Sequence, residues 1–170
     1  IRTEITAYRD AIHYVHDAVV EGMNAGKPLH QLQQEIELPP ACEVGQGYGK
    51  VAWSIRAIWE NYAGWFKHES TTELYSVPPS AVHADLLELA GTGPVLDKAR
   101  SKLAAGKLEE SLHLLDIVLN VEPANTEAQD IAVEVHQALL EKSENFWLSG
   151  WLENQIKLLQ GGTTAPLAFK

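Results

Sequence analysis

The segment GYGKVAWSIRAIWENYAGWF, which ends at Phe66, restricts the fold of this chain more than any other feature. Six of the thirteen aromatic residues of the chain lie between Tyr48 and Phe66. Trp53 and Ala57 lie off the main apolar stripe of the predicted helix, and Trp65 lies at its margin. A helix that is apolar almost all round has to be buried on almost every side. The main stripe contains Val51, Ile55, Ile58, Trp59, Tyr62 and Phe66.

A chain of 170 residues has difficulty covering such a helix on its own. Large obligate interfaces between subunits are rich in aromatic residues and resemble a core cut in half. We therefore expect a second copy to cover part of the helix, with neighbouring helices of the same chain as the alternative cover. The candidate interface or core anchors are Trp53, Ile55, Trp59, Tyr62, Trp65 and Phe66.

Helical periodicity continues over most of the remaining sequence, and no strand pattern stands out. Apolar residues at steps of three and four from Ile1 to Met23 predict a long first helix. Ser80 is predicted to be the N-cap of a helix that Gly91 ends. The other predicted helices cover about 29–38, 48–66, 94–105, 108–121, 126–142 and 145–160.

The section from Val95 to Pro123 resembles one tetratricopeptide-type repeat, with small Ala99 and Ser111 where its two helices approach and Gly106 in the turn. The predicted fold class is all-α, with helical hairpins plus a tetratricopeptide-like antiparallel helix stack. The predicted division is an N-terminal helical dimerisation region over 1–91, the helix stack over 92–162 and a flexible tail over 163–170.

Composition excludes several classes of function. The formal net charge is -10, and Lys and Arg form no cluster of the kind that nucleic-acid binding requires. Insertion into a membrane is not expected, because no apolar run is long enough to span a bilayer. The single cysteine, Cys42, permits no internal disulfide and leaves both a periplasmic and a cytoplasmic location open. The sequence begins at Ile1, so we expect it to be a piece of a longer polypeptide.

The stretch AIHYVHDAVV places His13, His16 and Asp17 on one helix and raises the possibility of a metal site. A zinc site needs three or four ligands held together, and the other histidines show no paired spacing. The sequence therefore favours an ion-pair row of Arg9, His13 and Asp17, with His16 as a core histidine bonded to a neighbour. A free-standing metal enzyme is the disfavoured interpretation.

The glycine-rich stretch GQGYG lacks the preceding strand and the following Lys-Ser or Lys-Thr pair of a phosphate-binding loop. We expect a tight chain reversal into the aromatic helix. In a dimer, Tyr48 at the tip of this loop could reach the edge of an active site. Arg56 could reach an anionic substrate, but the favoured role of Arg56 is an ion pair with Glu60.

Five stretches, in this order, resemble the dimerisation domain of metallo-β-lactamase-fold alkyl sulfatases. They are YRDAIHYVHD, GMNAGK, ELPP, GYGKVAWSIRAIWENYAGWF and LLELAGTGPVLDKAR. The similarity extends from about Tyr8 to Leu158 and implies an all-helical domain that follows a zinc-binding hydrolase domain and forms an intertwined homodimer. The motif His-x-His-x-Asp-His of such hydrolases is absent here. The resemblance therefore implies no catalytic residue and no metal ligand in this chain, and it places the zinc in the parent's own N-terminal hydrolase domain.

The function implied by this resemblance is that of a homodimerisation module for a zinc-dependent, alkyl-sulfatase-like hydrolase. The fragment itself is expected to be inactive and to hold no cofactor. The alternative is a monomeric helical-repeat scaffold that binds a partner peptide in the helix stack. A concave face with exposed side chains around Leu112, Asp116 and His136 would favour this alternative.

These expectations predict that the purified chain takes up no tightly bound zinc. Metal analysis after dialysis against micromolar zinc measures the content directly. Stoichiometric zinc that disappears in His13→Ala would contradict the prediction, because it would show that the HYVHD stretch is a ligand set.

Overall fold

The structure, a computed structural model, describes the backbone of residues 2–162 and the side chains of residues 3–162. Helices dominate, and no strand occurs within these residues, which confirms the predicted all-α class. The tetratricopeptide likeness stays a prediction. The helices are α1 (Arg2–Asn24), α2 (Leu29–Glu35), α3 (Val51–Ala63), α4 (His83–Ala90), α5 (Thr92–Ala104), α6 (Leu108–Val121), α7 (Thr126–Glu141) and α8 (Phe146–Leu159), with short 3-10 turns at Pro40–Cys42, Thr71–Leu74 and Pro79–Val82.

The chain divides into two compact units, the first ending at Ser76 and the second beginning at Val77. The sequence placed residues up to 91 in the first region, whereas the structure places α4 in the second unit. The reason is the side chain of Leu87, which is buried with Leu96 and Leu115 in the core of the second unit. The predicted flexible tail over 163–170 lies outside the described residues.

The core of the first unit lies between α1, α2 and α3. Two aliphatic side chains come from each of the first two helices, and Ile55 and Trp59 come from α3. Gly22 lets α2 approach α1 closely, because a Cβ at this position would overlap a methyl group of Leu32. The buried residues contributed by α1 and α2 are Val15, Val19, Leu29 and Leu32.

Several helix ends differ from the prediction for local reasons. The second helix ends at Glu35 instead of residue 38, because Ile36 is extended and Pro39 disfavours helical backbone just before it. The aromatic helix covers only Val51–Ala63, since Gly64 takes a φ of 74° that ends it. Trp65 and Phe66 therefore lie beyond the helix.

Ser80 does not cap a helix. It lies inside the 3-10 turn that Pro79 begins, and α4 starts later with Val82 at its N-cap position and no side-chain capping bond. Proline suits the first position of a helical turn, so the turn starts one residue before the predicted cap.

The second unit packs α5 on α6 and α7 on α8, around a core that also includes α4. Ala99 and Ser111, the small residues expected where α5 meets α6, are fully buried. The Ser111 hydroxyl donates a hydrogen bond of 2.9 Å to the carbonyl oxygen of Ala99, which satisfies the polar group inside the core. Gly106, with a φ of 72°, makes the turn between the two helices as expected.

Truncation of the second core should lower stability by an amount that depends on burial. Leu115→Ala is expected to lower the free energy of unfolding by about 2–5 kcal/mol, because it leaves a cavity at a fully buried position. Urea unfolding followed by circular dichroism measures the change. The matched control is Leu89→Ala, at a leucine that is 85% exposed in the same unit, and it should change stability little. Equal losses in the two variants would contradict the described core.

Candidate interaction surface

The aromatic residues of the α3 region divide between the core and the surface. Ile55 and Trp59, two of the candidate interface or core anchors, are buried in the core. Trp53, Tyr62 and Trp65 are 42%, 57% and 69% exposed. Phe66 is half-buried. The first unit thus covers only one stripe of this helix, and it leaves three large aromatic side chains in contact with solvent.

A hydrogen bond of 2.8 Å between the Tyr62 hydroxyl and His16 Nε2 joins α3 to α1. On its other side, His16 Nδ1 lies 2.9 Å from a carboxylate oxygen of Asp17. The bonded neighbour expected for His16 is therefore present. The expected core position is wrong, because the His16 side chain remains 42% exposed at the edge of the helix pair.

The predicted ion-pair row of Arg9, His13 and Asp17 does not form. The guanidinium of Arg9 donates from both Nε and Nη2 to one carboxylate oxygen of Asp10, at 2.9 and 2.6 Å. The carboxylate of Asp17 pairs with His16 instead. Neighbouring acceptors compete on equal terms at an exposed helix surface, where each ion pair is worth little.

The loop after α3 is tied down by one carboxylate. Glu73 accepts hydrogen bonds from the backbone N–H groups of Lys67, Glu69 and Ser70, at 2.7, 3.2 and 3.0 Å. These bonds favour the charged form and lower the pKa of the Glu73 carboxyl, with the bond from Lys67 as the largest cause. The Glu73 carboxylate thereby fixes the backbone just after Trp65, whose side chain is exposed.

A groove of about 550 Å³ lies in the first unit beside α1 and α3. Most side chains that line it are apolar, and Lys50 is the only charged residue among the described ones that do so. Tyr48 of the glycine loop lines the groove and is 76% exposed, and the tight chain reversal stays a prediction. The lining is provided by Tyr8, Ala11, Ile12, Val15, Leu38, Val44–Val51, Ser54, Ala57 and Ile58.

Arg56 is exposed on α3 outside the groove lining. Within the described residues it forms no ion pair with Glu60, so the favoured interpretation of Arg56 was wrong. The role of Tyr48 and Arg56 at an active-site edge stays a prediction.

The residues named for the peptide-scaffold alternative do not form an open face of exposed side chains. Leu112 is half-buried against the core of the second unit. The half-buried His136 is bonded through Nδ1 to the carbonyl oxygen of Ala132 at 2.6 Å, whereas Asp116 is exposed. The exposed concave face that would favour this alternative is therefore not provided by these three residues.

The described side chains contain no group of three or more His, Cys, Asp or Glu residues placed to hold a metal ion. The residues present in this part of the chain therefore do not fit a zinc site. None of the helices in residues 2–162 combines the length and apolar character needed to cross a membrane.

Sequence reasoning missed one feature of this surface. It treated the apolar stripe of α1 as one continuous face and did not predict that Ile5, Tyr8 and Ile12 would be exposed. The signal was available in the lengths of the elements, because the 23 residues of α1 exceed the 7 of α2 and the 13 of α3. The two shorter helices cover only part of the longer one.

Residues 29–161 match the family model described as alkyl sulfatase dimerisation, and this chain belongs to that family. It is 29% identical over 168 residues to a linear primary-alkylsulfatase from a Pseudomonas species, a match that covers 95% of this chain and 32% of that protein. It is 23% identical over 171 residues to an (R)-specific secondary-alkylsulfatase from a Pseudomonas species, covering 96% of this chain and 26% of that one.

The fold is also found in the solved structure of a stereoselective inverting sec-alkylsulfatase from a Pseudomonas species. The TM-score is 0.83 at 22% identity, and the match covers 94% of this chain and 26% of that one. At this identity the likeness shows the fold alone. The chain spans about a quarter to a third of the length of the relatives that it matches.

The hydrogen bonds that Glu73 accepts predict how the stability of the chain depends on pH. The folded-state pKa of Glu73 is lowered, so its contribution is complete above the unfolded pKa of about 4.3 and is lost as the pH falls through the folded value. Glu73→Gln removes this contribution. The stability of this variant should therefore fall less than that of the unsubstituted chain between pH 6 and pH 3. Urea midpoints at the two pH values measure the difference. The control Glu69→Gln should keep the parent's pH dependence, and an identical loss in both variants would contradict the assignment.

Proposed function

We propose that this chain is the homodimerisation module of a zinc-dependent, alkyl-sulfatase-like hydrolase of the metallo-β-lactamase superfamily. The proposal assigns the catalytic domain to a part of the parent protein outside this sequence. The observation that carries it is the set of exposed aromatic side chains, Trp53, Tyr62 and Trp65, in a chain of the alkyl sulfatase dimerisation family. Aromatic residues of this kind are enriched in the cores of subunit interfaces.

The named activities of the relatives support the parent's proposed reaction. Two Pseudomonas relatives are alkylsulfatases, and each is three to four times as long as the part that this chain matches. In the parent, zinc held by the catalytic domain would activate the water that hydrolyses a sulfate ester. The chain's own contribution would be to hold two subunits together, so the isolated chain should not hydrolyse alkyl sulfates.

Two further residues have a proposed part in the assembled enzyme. Tyr48 stands exposed at the tip of its loop, and Arg56 is exposed on α3. In a dimer these two side chains would border a substrate entrance, where the guanidinium of Arg56 would attract a sulfate group. The exposure of both residues is what supports this role.

The solution mass tests the proposed function. Light scattering over a dilution series should give a mass of about twice 18.7 kDa. The double variant Trp53→Ser/Trp65→Ser should weaken association by roughly a hundredfold or more, because two buried aromatic anchors would be lost.

The matched control is Trp147→Ser/Trp151→Ser, which removes two exposed tryptophans from α8 in the second unit. This variant should remain dimeric. If the unsubstituted chain were a monomer at every concentration, this would contradict the proposed function and favour the peptide-binding scaffold. Equal dissociation of the two double variants would contradict the assignment of the interface to the α3 region.

A further inference from the structure

The apolar stripe of α1 continues beyond the core that covers it. Ile5, Tyr8, Ile12, Val15 and Val19 follow one another at alternating steps of three and four residues, the spacing of a coiled-coil seam. Val15 and Val19 are buried by α2 and α3. Ile5, Tyr8 and Ile12 are 65%, 59% and 53% exposed, although they belong to the same stripe.

The first half of α1 has no cover within the first unit. From residue 3 to residue 10 no side chain is buried, and Ala11 is the first buried residue of the helix. At about 1.5 Å per residue, the uncovered part is roughly 15 Å long. Three large apolar residues on one face of such a segment indicate a partner, because an isolated surface helix carries polar residues on its outer face.

The groove described above begins beside this exposed stripe. One wall consists of Tyr8, Ile12 and Val15 of α1, and the opposite wall includes Val51 and Ile58 of α3. No Asp or Glu occurs among the described lining residues, although acidic residues outnumber basic ones by 23 to 13 in the chain. An apolar helix can therefore lie in the groove without burying a carboxylate.

We propose that the N-terminal half of α1 pairs antiparallel with the same half-helix of a second copy and lies in that copy's groove. The inference rests on the proposed dimerisation and assigns it a specific contact. In this register Tyr8 lies opposite Ile12 of the second copy, and Ile5 lies over its Val15. Each contact then occurs twice about a two-fold axis.

The occupant is a second copy because the stripe and one wall of the groove belong to the same helix. A surface that carries both parts side by side is complementary to itself, which is the requirement of a two-fold interface. The family of the chain is described by dimerisation. The docking half-helix lies before residues 29–161, the part that the family model matches, and so adds an element to the dimer surface.

Disulfide trapping between two single-cysteine versions tests the register. In a Cys42→Ser background, one version carries Tyr8→Cys and the other carries Ile12→Cys, and the two are mixed under mild oxidation. The antiparallel register places these positions opposite each other, so the mixture should form a disulfide-linked heterodimer. Each version alone should stay unlinked, because its two cysteines would be offset by about 6 Å along the helix axis, in addition to the separation of the helices.

The matched control is the pair Thr6→Cys and Tyr14→Cys. These positions lie at the same height in the proposed register and are also exposed, but they point away from the seam. They should not form a disulfide. A dimeric mass without the Tyr8–Ile12 link, or with equal linking in the control pair, would overturn the α1 contact while leaving dimerisation intact. A monomeric mass would overturn both.

A charge substitution gives a second, independent measurement. Ile5→Asp should weaken dimerisation by roughly tenfold or more, because it places a carboxylate in the apolar groove of the second copy. Thr6→Asp, one residue away on the outer face of α1, should leave the dissociation constant unchanged. Helical content and melting of the monomer should be the same in both, since neither side chain is buried in its own chain. Equal dissociation constants for the two variants would overturn the proposal.

Discussion

The burial of Ile55 and Trp59 against α1 and α2 is the contact on which the first unit depends. One short helix, α2, and part of the long α1 enclose one stripe of α3, and a tryptophan provides much of the buried area. Trp53, Tyr62 and Trp65 remain exposed outside this core. The internal core and the exposed surface of this unit therefore have one cause, which is a helix with more apolar residues than its neighbours can enclose.

The helices of the second unit could be predicted closely because their ends carry strong local signals. Asn125 caps α7 by accepting a hydrogen bond from the Ala128 N–H group, and Gly106 supplies the positive φ of a turn. The end of α3 was harder to predict. The single backbone conformation of Gly64 decides it, and the apolar pattern of Trp65 and Phe66 continues past that point. Periodicity records which face is apolar, but it does not record where the chain turns.

The candidate surface was predictable in its residue types and unpredictable in its detailed contacts. The sequence indicated that some aromatic residues near α3 would remain uncovered, but it could not separate buried Trp59 from exposed Tyr62, which share one apolar stripe. That distinction depends on which side α1 approaches. The partners of surface polar side chains could not be predicted either. Arg9, for example, pairs with the adjacent Asp10. Several partners lie within range at an exposed helix surface, and the free-energy differences among them are small.

The absence of carboxylates among the described lining residues of the groove has a consequence for conditions of assembly. Each copy carries a formal charge of -10, so two copies repel each other at long range. The described lining that each copy contributes contains no acidic residue that would oppose the contact locally. Ionic strength then acts on the approach of the copies more than on the contact, and added salt screens the repulsion over about 10 Å at 0.1 M. Association of this chain should consequently tighten as salt is added, in contrast to assemblies held by ion pairs.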